Sequence, residues 1–317
     1  MLLKKGRIVL GLLFIGMMTT AIFVFNRLVN FFSLKNPVLS TEEGRFYEWR
    51  FGSVFYTKKG QGRPLLLIHD LTPFRSGHDW HLLESQLAKS HTVYTLDLLG
   101  CGRSDKPAIT YTSFLYVQLM TDFLRNVVAN PTQIIGAGAS SIFIVEACHY
   151  DNTFMDNIFL INPKPLQAPS GPSNKRNQLL RQLLAMPLLG TFLYNLSINT
   201  VTLKNLLKKK SFYDPRKVTD FTLKAYIEGS QIKKTEGKFL YACITSWLTH
   251  SNLSHSLARI NTRLYILSSQ GLSNNLEVAK AYQKHLPSIE IISLEKSNYL
   301  PQLETPEELL EQLEGLL

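Results

Sequence analysis

The stretch TQIIGAGASS, residues 132–141, decides the fold of this chain. Its first six residues form a short apolar run that is typical of a buried β-strand, and its last residues suit the start of a helix. Between them Gly136 and Gly138 allow the backbone to turn sharply, because glycine adopts a positive φ at little cost. The stretch therefore predicts a strand, a tight corner and a helix, which is a unit of α/β architecture.

Similar apolar runs recur before and after this corner, separated by helical patterns. We predict further strands at 65–69, 92–97, 157–162, 263–268 and 289–294. Each is a continuous apolar run, which is typical of a strand that is covered on both faces. Since strands and helices alternate, the sheet should be mostly parallel. Residues 45–64 instead alternate large apolar and polar residues around Gly52, which predicts a β-hairpin.

The alternation stops between about residues 165 and 256. That stretch contains apolar and basic segments with helical patterns and no convincing strand. We predict that it is a helical cap, inserted after the sixth strand of the core.

The first residues of the chain predict a membrane anchor. The run from Ile8 to Phe25 carries no charge and is about long enough to cross the hydrocarbon layer of a bilayer. The alternative is a cleaved signal peptide, whose apolar region is shorter and ends in a small-residue cleavage site that we do not find here. We assign residues 1–30 to an anchor and 31–44 to a linker.

Basic residues on the two sides of this run predict its orientation. Lys4, Lys5 and Arg7 precede it, whereas Arg27 and Lys35 follow it. Because cytoplasmic flanks carry the excess of Lys and Arg, the N-terminus should be cytoplasmic and the folded part outside the cytoplasm.

The composition argues against several function classes. The formal net charge of +10 includes four charges in or beside the anchor, and the rest shows no RNA-binding signature or zinc-ligand spacing. The three cysteines (Cys101, Cys148, Cys243) lie far apart, which predicts buried thiols and neither a disulfide framework nor a metal site. We predict no nucleic-acid partner, no cofactor and no metal.

Four sequence pieces in order resemble the α/β-hydrolase family, in the branch with a helical lid over an eight-stranded sheet. They are LLLIHD (65–70), HTVYTLDLLGCGRSDKP (91–107), IIGAGASS (134–141) and YLPQLETPEEL (299–309). The likeness extends from about Arg45 to the end of the chain. It implies a core made of residues 45–164 and 257–317, with the cap at 165–256 between them.

The resemblance also implies where a catalytic triad would lie, in the chain order nucleophile, acid, histidine. Gly138 occupies the position of the nucleophilic serine, and small residues remain on either side as Gly136 and Ser140. The corner is therefore predicted to persist without its reactive hydroxyl. A register shift could instead make Ser140 or Ser141 the nucleophile, although we favour a helix-capping role for these two serines.

The positions of the acid and the base are replaced as well. Gly271 lies where the acid usually follows the strand at 263–268, and the turn after the preceding strand carries Lys164 and no carboxylate. Tyr299 takes the place of the histidine. A phenol with a pKa near 10 is a poor general base at neutral pH.

The oxyanion-hole region is expected to contain His69, Asp70, Leu71, Ala139 and Ser140. Asp70 replaces the glycine that usually follows the histidine. If it points inward, its carboxylate would oppose negative charge on a substrate oxygen; if it points outward, it would cap a loop.

We therefore predict a membrane-anchored α/β-hydrolase-fold protein that has lost hydrolysis and binds a hydrophobic ligand, such as an acyl group, or acts as a scaffold. The alternative is an active hydrolase that uses displaced groups such as His69, His78, Ser140 or Tyr299. In a third hypothesis, the basic segment at Lys208, Lys209 and Lys210 rests on anionic lipid.

Overall fold

Eight strands form one sheet in the computed structural model, which describes residues 2–167, 175–233 and 235–317. They are β1 (Arg45–Trp49), β2 (Gly52–Lys59), β3 (Arg63–Ile68), β4 (His91–Leu96), β5 (Thr132–Ala137), β6 (Met155–Ile161), β7 (Arg263–Ser269) and β8 (Glu290–Leu294). The predicted strands are all present, each within a few residues of its expected bounds.

The strand order is β1-β2-β4-β3-β5-β6-β7-β8. β1 and β2 form the predicted antiparallel hairpin, and β2 also pairs antiparallel with β4. All other neighbours are parallel. The carboxyl ends of β3, β5, β6 and β7 therefore meet at one edge of the sheet, and this edge positions the candidate site.

Helices cover both faces of the sheet and form the segment between β6 and β7. In the described residues they are α1 (Leu2–Ser33), α2 (Glu84–Leu87), α3 (Ser113–Phe123), α4 (Ser140–Tyr150), α5 (Lys175–Ala185), α6 (Pro187–Ser197), α7 (Thr200–Leu206), α8 (Asp220–Gln231), α9 (Lys238–Thr245), α10 (Ser254–Leu257), α11 (Asn275–His285), α12 (Pro301–Glu304) and α13 (Pro306–Glu314).

The central strands are mostly apolar because both of their faces are covered. All six residues of β5 are buried, as are the last four residues of β3. Side chains of α3, α4 and α11 pack against one face, and side chains from α2 and α13 pack against the other. Each fully buried leucine or isoleucine of these strands stabilises the fold by about 1.5–3 kcal/mol relative to an exposed one.

A helical sequence pattern covers residues 113–130, and the structure departs from an α-helix in the last part of it. α3 ends at Phe123 and the chain continues as a π-helical turn, Leu124–Val128. This turn ends at Ala129, which has a positive φ of 56°. The spacing of the apolar residues suits an α-helix and a π-helical turn equally well. The change of hydrogen-bonding pattern could therefore not be predicted from the sequence.

The segment between β6 and β7 is helical, and the described residues between Ile161 and Arg263 contain no strand. It contains α5 to α10, while residues 168–174 and residue 234 of the predicted cap lie outside the described residues. Lys208, Lys209 and Lys210 are exposed on a π-helical turn after α7. The exact domain boundaries remain predictions.

The N-terminal helix α1 contains one candidate membrane span. Its segment Arg7–Ser33 contains an 18-residue window with a mean hydropathy of 2.5 and is long and apolar enough to cross a bilayer, a property that signal sequences share. The last turns of α1 pack against α6 and α8. α1 thus continues three residues beyond the predicted end of the anchor, into the predicted linker.

Candidate active site at the carboxyl end of the sheet

The corner between β5 and α4 has the geometry that the sequence predicts. Gly138 has a φ of +60°, a conformation that side-chain-bearing residues rarely adopt. Its N–H donates a hydrogen bond to the carbonyl oxygen of Ile161 at 2.9 Å, which ties the corner to the end of β6. The prediction of a preserved corner is confirmed.

Asp70 points inward and bonds to this corner. Its Oδ1 accepts a hydrogen bond from the backbone N–H of Ala139 at 2.8 Å. In an α/β-hydrolase, the N–H of the residue after the nucleophile is one of the two donors of the oxyanion hole. With Gly138 at the predicted position of the nucleophile, the Asp70 carboxylate would lie where an oxyanion binds this donor. The next predicted residue, Leu71, is buried beside it.

Tyr299 bonds to the other oxygen of the same carboxylate. Its hydroxyl donates to Oδ2 of Asp70 at 3.0 Å. A Cβ atom placed on Gly138 would lie 2.4 Å from the Tyr299 hydroxyl oxygen and 2.5 Å from Oδ1 of Asp70. The space that a nucleophilic side chain would need is therefore filled by these two side chains.

A buried set of charges continues from Asp70 to the helix α8. Arg75 Nε lies 3.6 Å from Oδ2 of Asp70, and Arg75 Nη1 donates to Asp79 Oδ2 at 3.0 Å. The hydroxyl of Tyr226, on α8, donates to Asp79 Oδ1 at 2.6 Å. Arg75 is 2% exposed and Asp79 is fully buried. Because α8 belongs to the predicted cap, these bonds join the cap to the core.

The pKa shifts agree with this hydrogen-bonding pattern. Burial by itself would raise the pKa of the Asp70 carboxyl, but Arg75, Lys164 and the Ala139 N–H outweigh it and leave that pKa below its ordinary value. Burial, reinforced by the Asp70 charge, raises the pKa of Tyr299 to about 12. At neutral pH, Asp70 is therefore an anion and Tyr299 is a protonated donor that does not act as a base.

His69 is buried and has both ring nitrogens engaged. Nε2 accepts the backbone N–H of Leu98 at 3.1 Å, so Nδ1 carries the proton and donates to the carbonyl oxygen of Asp70 at 2.8 Å. Burial lowers the pKa of the imidazole, which keeps the ring neutral. His69 thus fixes the turn that presents Asp70.

His78 and His81 lie on and just after a 3₁₀ turn that follows this loop, with their rings stacked at 4.3 Å. His78 is buried and also contacts the ring of Phe221 on α8 at 4.9 Å. Burial, then the neighbouring His81 and Arg103, lower the pKa of His78 to about 3. His78 is therefore neutral at physiological pH and packs between the core and α8.

The two serines after the corner turn their hydroxyls back toward the strand. Ser140 Oγ donates to the carbonyl oxygen of Ala137, and Ser141 Oγ donates to that of Gly138, each at 2.8 Å. Both side chains are fully buried. The predicted capping role is wrong, because the N-cap of α4 is Ala139 and no side chain accepts a hydrogen bond there. A buried hydroxyl can bond to a carbonyl three residues back just as readily as cap a helix.

Gly271, the predicted position of the acid, lies against backbone atoms. Gly271 N–H donates to the carbonyl oxygen of Ser297 at 2.9 Å, and a Cβ on Gly271 would lie 2.5 Å from that oxygen. The turn after β6, the alternative predicted place for the acid, holds Lys164, whose Nζ lies 4.8 Å from the centre of the Tyr299 ring. Asn162, directly after β6, connects the end of β7 with the loop after β8. It accepts a hydrogen bond from the Ser269 N–H at 2.9 Å and donates one to the carbonyl oxygen of Asn298 at 3.1 Å.

Sequence reasoning missed three members of the buried set: Arg75, Asp79 and Tyr226. Arg75 and Asp79 lie in the segment LTPFRSGHDW (71–80), directly after the turn in which Asp70 replaces glycine. Two opposite charges four residues apart beside that substitution are a signal that could have been used. Tyr226 comes from a distant helix and gave none. Among the described residues, no group of three or more His, Cys, Asp or Glu side chains could hold a metal ion, and the three cysteines are free and buried.

Curated relatives match only parts of the chain. An uncharacterized protein of Mycobacterium tuberculosis is 28% identical over 103 residues, which are 32% of this chain and 30% of that protein. The 2-hydroxy-6-oxo-6-(2'-aminophenyl)hexa-2,4-dienoic acid hydrolase of Metapseudomonas resinovorans is 32% identical over 71 residues, 22% of this chain and 24% of that enzyme. The chain thus spans less than a third of the length of these relatives.

Solved structures match over most of their length. A probable hydrolytic enzyme from Pseudomonas aeruginosa superposes with a TM-score of 0.71 at 16% identity, covering 87% of this chain and 95% of that one. Cfl2 from Burkholderia cenocepacia superposes with a TM-score of 0.69 at 15% identity, covering 88% and 97%. At these identities the likeness shows the fold. The family model described as "Alpha/beta hydrolase family" matches residues 65–312, and this chain belongs to that family.

Proposed function

We propose that this chain is a membrane-anchored member of the family that carries out no serine hydrolysis and works as a scaffolding or binding module. One observation carries the proposal: the Asp70 carboxylate lies 2.8 Å from the backbone nitrogen of Ala139. A donor that already holds an internal anion is not free to stabilise the charge that develops on a substrate oxygen.

The other catalytic requirements are unmet in the same place. Gly138 offers no hydroxyl at the apex, and Tyr299 stays protonated at neutral pH. Loss of a triad nucleophile alone lowers kcat by about a millionfold in a well-studied protease. Here that loss is combined with a carboxylate in the oxyanion position, so ester or amide cleavage has neither an attacking group nor a stabilised intermediate.

The closed state of the site favours scaffolding over ligand binding in the crevice. Asp70 is 3% exposed, and Asp79 and Ser140 are fully buried. An acyl ligand would have to displace Tyr299 or Tyr226 and so break the hydrogen bond that its hydroxyl donates to Asp70 or to Asp79. The crevice of an enzyme is thus replaced by a polar cluster that holds α8 against the core.

The membrane part of the proposal rests on α1 and its flanking charges. An apolar helix with basic residues mainly before it is expected to keep its N-terminus in the cytoplasm and to place the folded part outside the cytoplasm. The packing of α1 on α6 and α8 would hold that folded part close to the membrane surface.

Reaction with a fluorophosphonate probe tests the loss of hydrolysis. We expect the full-length protein, purified in detergent, to show no increase in intact mass after exposure, whereas an active serine hydrolase in the same detergent reacts fully. Cleavage of short-chain aryl esters should equal that of the Ser140→Ala variant. A covalent adduct that Ser140→Ala or Ser141→Ala abolishes would contradict the proposal and identify a displaced nucleophile.

A further inference from the structure

Helix α6 is apolar on two opposite faces. Gly190 and Tyr194 lie on its buried face. Leu189 and Leu196, spaced seven residues apart and so on one face opposite to these two, are 37% and 49% exposed, and Met186, the N-cap residue just before the helix, is 46% exposed. A helix of a water-exposed protein normally presents a polar outer face, whereas a helix that is apolar all round is typical of a membrane environment or a buried core.

The anchor helix packs along the side of α6. The rings of Phe25 and Phe192 meet edge to face with centroids 5.3 Å apart. Asn26 Nδ2 donates to the carbonyl oxygen of Leu188 at 3.2 Å, and Asn195 Nδ2 donates to Asn26 Oδ1 at 3.0 Å. The contact thus combines aromatic packing with directed hydrogen bonds.

Further amides make this contact a defined junction. Gln231, at the end of α8, donates from Nε2 to Asn195 Oδ1 at 3.0 Å, and its carbonyl oxygen accepts a hydrogen bond from Asn30 Nδ2 at 3.2 Å. Asn26 and Asn195 are 9% and 1% exposed. Buried amides that are bonded to one another fix the relative position of the helices that carry them. α1 and α6 therefore keep a constant relative orientation.

This junction lies at the depth where the span would leave the hydrocarbon. The uncharged run from Ile8 to Phe25 is about 27 Å long as a helix, close to the roughly 30 Å of a bilayer core. Arg27 is the first charge after the run. Phe25 and Asn26, at the end of this run, contact α6, which would place α6 near the boundary of the bilayer.

The charges around α6 fit the same placement. The chain carries no charged residue between Arg181 and Lys204, so α6 and its exposed face lie within an uncharged stretch that is bounded by basic residues. Lys175 and Arg176 begin the preceding helix. Apolar helices that lie in the membrane interface are commonly accompanied by basic residues, which are attracted to anionic headgroups.

We infer that the exposed face of α6, formed by Leu189 and Leu196 with Met186 at the N-cap, is inserted into the interfacial region of the leaflet beside α1. Its occupant is lipid, and α6 is a second membrane contact that the predicted single anchor does not include. The inference rests on the proposed membrane anchoring. It goes beyond that anchoring because it fixes which side of the folded part faces the bilayer.

Spin-label accessibility on the full-length protein in lipid nanodiscs tests this placement. Leu189→Cys and Leu196→Cys variants are labelled with a nitroxide, and the native cysteines are buried. Phe14→Cys, in the span, reports on anchoring, and Phe114→Cys on α3, where phenylalanine is 57% exposed, is the matched control for an apolar surface residue of the core. Accessibility to oxygen and to a water-soluble nickel chelate is compared at each position.

We expect labels at positions 189 and 196 to be several-fold more accessible to oxygen than to the nickel chelate, as at position 14, and the label at 114 to show the reverse. If 189 and 196 behave like 114 while 14 lies in lipid, the inference is wrong and anchoring stands. If 14 also lies in water, anchoring itself fails. Spin–spin broadening at 189 that disappears on dilution with unlabelled protein would assign the face to a second copy and overturn the lipid assignment.

Discussion

Replacing Gly138 with alanine is expected to lower the free energy of unfolding by about 3 kcal/mol or more. The new methyl group would lie 2.4 Å from the Tyr299 hydroxyl oxygen and 2.5 Å from Asp70 Oδ1, at a backbone φ of +60° that disfavours any side chain. Strain and overlap therefore add. Denaturant unfolding of the purified protein, followed by tryptophan fluorescence, measures the change.

Two further variants separate overlap from a general cost of replacing glycine. Gly315→Ala should be nearly neutral, because a Cβ there meets no atom within 4 Å. Gly138→Ala should cost less in a Tyr299→Phe background than in the wild type, because the closest atom is then gone. If Gly138→Ala is as well tolerated as Gly315→Ala, the space at the corner is open and the account of a filled site is wrong.

The Asp70→Ala variant is expected to lose about 3 kcal/mol of stability, because it leaves the Ala139 N–H and part of the Arg75 charge unpaired in the interior. Asp151→Ala is the matched control, since its partner Arg125 is largely exposed, and it should cost about 1 kcal/mol or less. Equal effects of the two substitutions would mean that Asp70 makes no special contribution at the corner.

The pH dependence of stability follows from the lowered pKa of Asp70. A carboxyl whose folded pKa lies below its unfolded value contributes stability that is fully present above the unfolded value, near 3.9, and is lost as pH falls through the folded value. Between neutral pH and this acid range, wild-type protein should therefore lose more stability than the Asp70→Ala variant does.

Most of the fold could be predicted from the sequence because its signals are local. Residues 65–68 and 134–137 are apolar, which is typical of a strand covered on both faces, and the glycines at the corner mark a turn that few other residues allow. The same local motifs predict that Gly138, Gly271 and Tyr299 replace a catalytic triad, and this assignment stays a prediction. In the structure the three residues follow the carboxyl ends of β5, β7 and β8.

The interior of the site could not be predicted, because it depends on contacts between distant segments. Whether Asp70 points inward depends on Ala139, 69 positions away, and on Tyr299, 229 positions away. Arg75, on a loop, lies beside the Asp70 carboxylate, and Tyr226, on α8, donates a hydrogen bond to Asp79. Neither residue belongs to a sequence motif. The serine hydroxyls of α4 had two satisfactory backbone partners, and only packing decides between them.

The hydrogen bond of the Ala139 amide gives the most direct test of the claim that the Asp70 carboxylate occupies the oxyanion position. In protein labelled with ¹⁵N-alanine, the Ala139 signal can be assigned as the one that disappears in an Ala139→Ser variant. We predict a strongly downfield amide proton that exchanges slowly with solvent, and that moves upfield and exchanges much faster in Asp70→Ala. An Ala139 amide that exchanges freely in the wild type, or that is unchanged in Asp70→Ala, would contradict the account.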